Sequence, residues 1–273
     1  MMARLAVLLG IALVALGAGG GRIEVAAHRG GALLWPENSL QAFRGALALG
    51  ADWLELDVHA TADGEAVVIH DATLDRTTTG QGFVAGTPLA DLGRLRLRAR
   101  DGTPTGEPVP TLDQVLELAA GGRAGLLLEI KLAADRARYP GLEDRVLALL
   151  RARSLLARAL VMSFDAETLR RVRVLEPAAR TVLLVGRGAA GRAGPDALVR
   201  AVRDAGAGHL GIDHRALDAA VLNAARAAGL GVAAWTVNEE PAVRAVIDLG
   251  VDVVISDRPD LVLGLLGRAA SRP

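Results

Sequence analysis

Three carboxylates and two histidines stand at the ends of apolar runs in this 273-residue chain. Gathered together, such groups could hold a hard cation and move protons. The runs are Val25-Ala26-Ala27-His28, Trp53-Leu54-Glu55-Leu56-Asp57-Val58, Ala66-Val67-Val68-Ile69-His70 and Leu126-Leu127-Leu128-Glu129-Ile130-Lys131. Each is apolar enough for a buried strand, yet each carries groups that are unfavourable to bury without a partner. Glu55 and Asp57 are two apart on a strand and so project to one face. Like charges there must share a proton or a cation. Glu129 comes from another strand at the equivalent height. With no cysteine in the chain, three carboxylates suit Mg²⁺ or Ca²⁺ rather than zinc. His28 and His70 titrate near neutrality and could act as general base and general acid; the order of the two stays open. The set reads as metal-assisted phosphodiester chemistry.

Lys131 is the sole lysine against thirty arginines. An ammonium is a compact point charge where a guanidinium is a wide planar fork. A lysine two residues past Glu129 therefore suggests a site with room for only the smaller cation, next to a phosphate. Arg29 is the other candidate phosphate contact. Trp235, near the end of an apolar run, offers a flat wall to an alcohol group. Glu37 and Asn38 read as helix N-terminus residues, with Asn38 as the cap. His59 is in phase with Asp57 but is better placed in a loop, and His209 and His214 read as structural.

A formal net charge of +0 gives no global case for nucleic-acid binding. Hydrophobic content of 51% with 3% aromatics supports a large core of aliphatic packing. Arg4 followed by the apolar run 5–16 and the small residues 17–21 has the parts of a secretory signal peptide. The run is shorter than the roughly 20 residues of a membrane span. Residues 1–21 are thus expected to be a signal peptide or N-terminal anchor, the protein exported, and 22–273 one barrel domain.

From residue 23 strands and helices alternate. Candidate strands are 23–27, 53–58, 66–70, 125–130, 159–163, 181–185, 209–213, 231–237 and 252–256. Helical patterns cover 39–49, 112–119, 143–153, 166–175, 195–205, 218–228 and 241–249. This rhythm implies a parallel sheet, and its length favours a TIM-type (β/α)₈ barrel. Nine candidates for eight places put an irregularity at 58–66, where Asp63-Gly64 leaves no room for a crossover helix; a tight hairpin or an extended return must serve. Residues 72–110 form an insertion after the third strand, too long for an ordinary connection and suited to a lid. Within it, arginines 94, 96, 98 and 100 alternate with small or apolar residues. That is the pattern of a solvated face, or more sharply of a weak contact with a membrane surface.

His28-Arg29-Gly30, Pro36-Glu37-Asn38-Ser39, Glu55-Leu56-Asp57-Val58, His70-Asp71, Leu74-Asp75-Arg76-Thr77-Thr78, Glu129-Ile130-Lys131, Trp235-Thr236-Val237-Asn238 and Ser256-Asp257, in that order, resemble the glycerophosphodiester phosphodiesterase family. The resemblance runs from about 23 to 259. It implies one divalent cation on Glu55, Asp57 and Glu129, acid–base roles for His28 and His70, phosphate contacts from Arg29 and Lys131, and a small glycerophosphodiester as substrate. Ser39 stands where threonine is commoner and keeps the hydroxyl. Two rival readings are a related lysophospholipase D or sphingomyelinase D type enzyme, and an inactive barrel that only binds phosphodiesters.

Overall fold

The computed structural model describes residues 21–268; the expected signal segment at 1–21 lies outside them but for Gly21. Nine strands form one sheet: β1 (Glu24–Ala27), β2 (Trp53–Ala60), β3 (Ala66–Val68), β4 (Gly125–Ile130), β5 (Ala159–Ser163), β6 (Arg180–Val185), β7 (His209–Asp213), β8 (Gly231–Trp235) and β9 (Val253–Ser256). Eight of them run parallel in the order β1-β9-β8-β7-β6-β5-β4-β2, and β2 pairs back onto β1 to close the barrel. The architecture is the expected TIM-type (β/α)₈ barrel.

The ninth candidate strand resolves the irregularity at 58–66. β3 is antiparallel to the end of β2, with Val58 opposite Val68 and Ala60 opposite Ala66. The connection is therefore the tight hairpin, turning at Gly64 with φ +78°. β3 ends at Val68, two residues short of the expected span. His70 consequently lies in the loop beyond it, although the Ile69 amide still donates to the Asp57 carbonyl. His59 is inside β2 and buried, which corrects the loop placement.

Helices Leu40–Leu49, Leu112–Ala120, Leu142–Ala152, Ala166–Leu175, Pro195–Asp204, Ala219–Ala227 and Glu240–Leu249 match the expected set within a residue or so. Ser39, not Asn38, caps the first of them by accepting from the Ala42 amide. That frees the Asn38 amide for another role. A helix at Pro259–Leu265 was not anticipated; its Val262 and Leu263 are buried with Val25 and Val254.

Strand parity explains how the barrel builds a site. Leu54, Leu56, Val58, Leu126, Leu128 and Ile130 face the helices and pack with Leu116, Val146 and Leu150. The alternate residues Ala26, Trp53, Leu127, Ala233, Val253 and Ile255 pack in the barrel interior. Followed toward the C-terminal ends of the strands, each interior column turns from apolar to polar. Trp53 leads to Glu55, Asp57 and His59; Leu127 to Glu129 and Lys131; Ala26 to His28; Ile255 to Asp257. A parallel barrel so written has a dry floor and a charged mouth.

The 72–110 insertion carries a small core of its own. Val67, Ile69, Leu74, Val84, Leu92, Leu97 and Val109 are buried together. Leu97 is inside, while Arg94, Arg96 and Arg100 are exposed, which fits the solvated-face pattern.

Candidate active site

β2 and β4 run in register with Asp57 opposite Glu129, so the carboxylates of Glu55, Asp57 and Glu129 converge. Each offers one oxygen to a group whose members lie within 4.8 Å of one another, and all three residues are buried. Lys131 Nζ is 2.9 Å from Glu129 Oε1 and 3.0 Å from Asp57 Oδ1. The Arg29 amide donates to Glu55 Oε2 at 2.7 Å, and the freed Asn38 amide donates to Asp57 Oδ2 at 2.9 Å.

Electrostatics divide the three carboxylates. Burial and the neighbouring Asp57 charge push Glu55 up to about 7. Burial, with Asp57 adding, also pushes Glu129 up to about 7 despite the Lys131 ammonium. Burial acts on Asp57 in the same sense, but Lys131, His70 and Arg29 more than offset it and hold its carboxyl far below the usual range. Asp57 Oδ1 is buried against the Lys131 ammonium. Three buried carboxylates gathered into an oxygen-only donor set fit a hard divalent cation, for which neutral carboxylic acids would be the substitute.

His28 caps the β1 column. Its Nδ1 is 2.6 Å from Asp257 Oδ1, and its Nε2 is 4.0 Å from Glu55 Oε2. Asp257 is in turn held by Asn238, whose Nδ2 donates to Oδ2 at 2.6 Å. Burial lowers the His28 pKa, but the Glu55 and Asp257 charges outweigh it and leave it raised. His70 Nδ1 is 2.7 Å from Asp71 Oδ1. Burial together with the Lys131 and Arg29 charges lowers the His70 pKa. Each imidazole thus has Nδ1 fixed on a carboxylate and Nε2 left for other chemistry.

Arg29 sits at φ 51° in a tight turn. Its guanidinium contacts Glu37 Oε1 at 3.0 Å and Asp57 Oδ2 at 3.4 Å, so it belongs to the cluster rather than standing free over it. Glu37 pairs with arginines instead of serving a helix terminus. Lys131 likewise bridges two carboxylates. Trp235 ends β8 at the mouth, edge-on to Phe164 with ring centroids 5.5 Å apart. His209 rests on the barrel floor against the Thr181 carbonyl, in keeping with its structural reading.

Several participants had no role assigned from the sequence: Asp257, Asn238, Asp71, Arg76 and His59. Asp257 carried a usable signal, being in phase with Val253 and Ile255 on the β9 column. His59 is neutral, its pKa brought down to about 4 by burial. Its Nε2 reaches the His70 carbonyl at 3.0 Å and its Nδ1 the Tyr139 hydroxyl at 2.8 Å. Asp71 and Arg76 belong to the loop beyond β3, where strand parity has nothing to say.

Residues 28–261 match the model of the glycerophosphoryl diester phosphodiesterase family. The chain belongs to that family. A glycerophosphodiester phosphodiesterase of Caldanaerobacter subterraneus is 32% identical over 243 residues, covering 89% of this chain and 97% of that one. An Agrobacterium tumefaciens protein assigned to the same family superposes with TM-score 0.85 at 28% identity, over 90% of this chain and 98% of that one. A phosphodiesterase of Oleispira antarctica, crystallised with the product sn-glycerol-3-phosphate, superposes with TM-score 0.77 at 29% identity, over 89% and 96% of the two chains. Membership in the family makes this barrel an enzyme, with a carboxylate cluster able to take a divalent cation.

Proposed function

We propose that the enzyme hydrolyses glycerophosphodiesters to sn-glycerol 3-phosphate and a free alcohol, with His28 and His70 as its acid–base pair. One observation carries this reading. Two imidazoles, each fixed at Nδ1 by an aspartate, flank a buried three-carboxylate cluster. The product held by the Oleispira relative supports the choice of substrate. Glu55, Asp57 and Glu129 would hold Mg²⁺ or Ca²⁺, which when bound polarises phosphoryl oxygens and lowers the pKa of a nucleophile. The nucleophile is a water, giving glycerol 3-phosphate directly, or the glycerol hydroxyl next to the phosphate, giving a cyclic glycerophosphate that a water then opens to glycerol 3-phosphate. One histidine takes its proton at Nε2 and the other delivers a proton to the departing alkoxide. Arg29 and Lys131 balance charge on the phosphate oxygens, while Trp235 and Phe164 wall the mouth on the alcohol side. The apolar run 5–16 supports an exported enzyme.

The test is release of glycerol 3-phosphate from a panel of glycerophosphodiesters, with lysophosphatidylcholine as the lipid arm and with chelation and metal add-back. His28→Ala and His70→Ala should each lower the rate by about 10²–10⁴. An aryl phosphodiester, whose leaving group needs no proton, should rescue the variant lacking the acid and not the other. Equal rescue of both would refute separate roles. Preference for the lysolipid would move the reading to a lysophospholipase D.

A further inference from the structure

Arg76 is rooted in the 72–110 insertion but ends at the barrel mouth. Its Nε and Nη2 donate to the two oxygens of Asp71 at 2.7 and 2.9 Å. Its Nη1 and Nη2 donate to the two oxygens of Glu37 at 2.7 and 2.9 Å. One guanidinium therefore forks two carboxylates at once. Each of those carboxylates holds a group of the proposed site: Asp71 fixes the His70 ring, and Glu37 fixes the Arg29 guanidinium.

The base of this arginine is itself held. Leu74 is buried in the insertion's core. The Thr78 amide and hydroxyl both donate to the Leu74 carbonyl, at 3.0 and 2.7 Å. The turn 74–78 is thus closed on either side of Arg76. An isolated surface ion pair contributes little, but planar two-point contacts to two half-buried carboxylates define a position as well as a charge.

We infer that Arg76 is a positioning residue for the phosphodiester reaction, fixing the His70 imidazole and the Arg29 guanidinium relative to each other. The insertion then acts as a brace across the mouth. This rests on the roles proposed above for His70 and Arg29.

Lysine can meet one carboxylate at a point but cannot fork two. Arg76→Lys and Arg76→Met should therefore both lower kcat/KM by roughly 10- to 100-fold, the usual effect of removing an orienting partner. The loss should split into a fall in kcat, through His70, and a rise in KM, through Arg29. The double-mutant cycle with Asp71→Asn decides between positioning and bulk stability. Under positioning, Arg76→Met adds little to the kcat loss already caused by Asp71→Asn, while its KM effect persists. Full additivity in kcat, or losses that track the fall in Tm, would overturn the inference. So would near wild-type kinetics of Arg76→Lys. His70→Ala separates the two levels: if it stays active, the proposed function fails, whereas if it is inactive while Arg76→Met is not, only the brace fails.

Discussion

Lys131 Nζ lies about equally close to Glu129 Oε1 and Asp57 Oδ1, a place suited to a point charge. Burial lowers its pKa, but the two carboxylates outweigh that and leave it raised, so it is charged at every working pH. A guanidinium is longer and forked, and could reach this point only by moving Asp57, Glu129 or whatever they bind. Lys131→Arg should therefore fall nearly as far in turnover as Lys131→Met, despite keeping the charge. Both should bind the cation differently from the wild type by calorimetry. If Lys131→Arg turns over normally, the lone lysine among thirty arginines is coincidence. The position was legible from the sequence because Lys131 is in phase with Glu129. Its second partner, Asp57, was not, since strand register is a tertiary fact.

At the scale of elements, the turn after β1 carries both His28 and Arg29, and Gly30 makes it possible. Gly30 adopts φ +80°, and a Cβ there would lie 2.6 Å from that of Ala42 on the first helix. Gly30→Ala combines a left-handed backbone with a hard contact and should destabilise by about 2 kcal/mol or more. For a chain of this size that is a fall in Tm of about 4–8 °C, with a loss of turnover as the turn shifts. Gly50 is the control: φ +81° at the end of the same helix, with nothing within 4 Å. Gly50→Ala should lower Tm less and leave kcat unchanged. If the two variants behave alike, the Ala42 contact is unimportant. The sequence disclosed the elements well because strand parity and helix period repeat along the chain. It failed where local chemistry gave way to partners from afar. Asn38 was read as a cap because it precedes a helix, yet it bonds Asp57 nineteen residues on. His59, in phase with Asp57 but expected in a loop, lies inside β2, where Tyr139 and the His70 carbonyl satisfy both of its nitrogens.

For the molecule as a whole, the carboxylate cluster links metal, pH and stability. Glu55 and Glu129 titrate near 7 when folded, pushed up first by burial, against an ordinary carboxylate value of 4.5. Between those values the folded state binds more protons than the unfolded one, so their contribution to stability declines as pH rises from about 4.5 to 7. A cation binds the ionised form and so replaces the lost protons, with affinity that grows with pH. The rise in Tm on adding Mg²⁺ or Ca²⁺ to chelated enzyme should accordingly be larger at pH 8 than at pH 6. Glu129→Gln should shrink that difference. A metal-induced shift that is flat across this range, or absent, would place the cation elsewhere.

Export belongs to the same scale, because it decides which solution fills the barrel mouth. The charged start at Arg4, the apolar run 5–16 and the small residues 17–21 match the order a signal peptidase reads. The first strand begins only at Glu24, so cleavage near Ala18 would leave every barrel strand intact. Outside the cytoplasm the chain has no thiol to oxidise. Expression of the whole chain in a Gram-negative host, fractionation and mass spectrometry of the purified protein test this directly. The expected product is periplasmic, with a new N-terminus a few residues before Glu24. Recovery of the intact chain from the cytosol, active and unprocessed, would reject export, and the apolar run would then need another function.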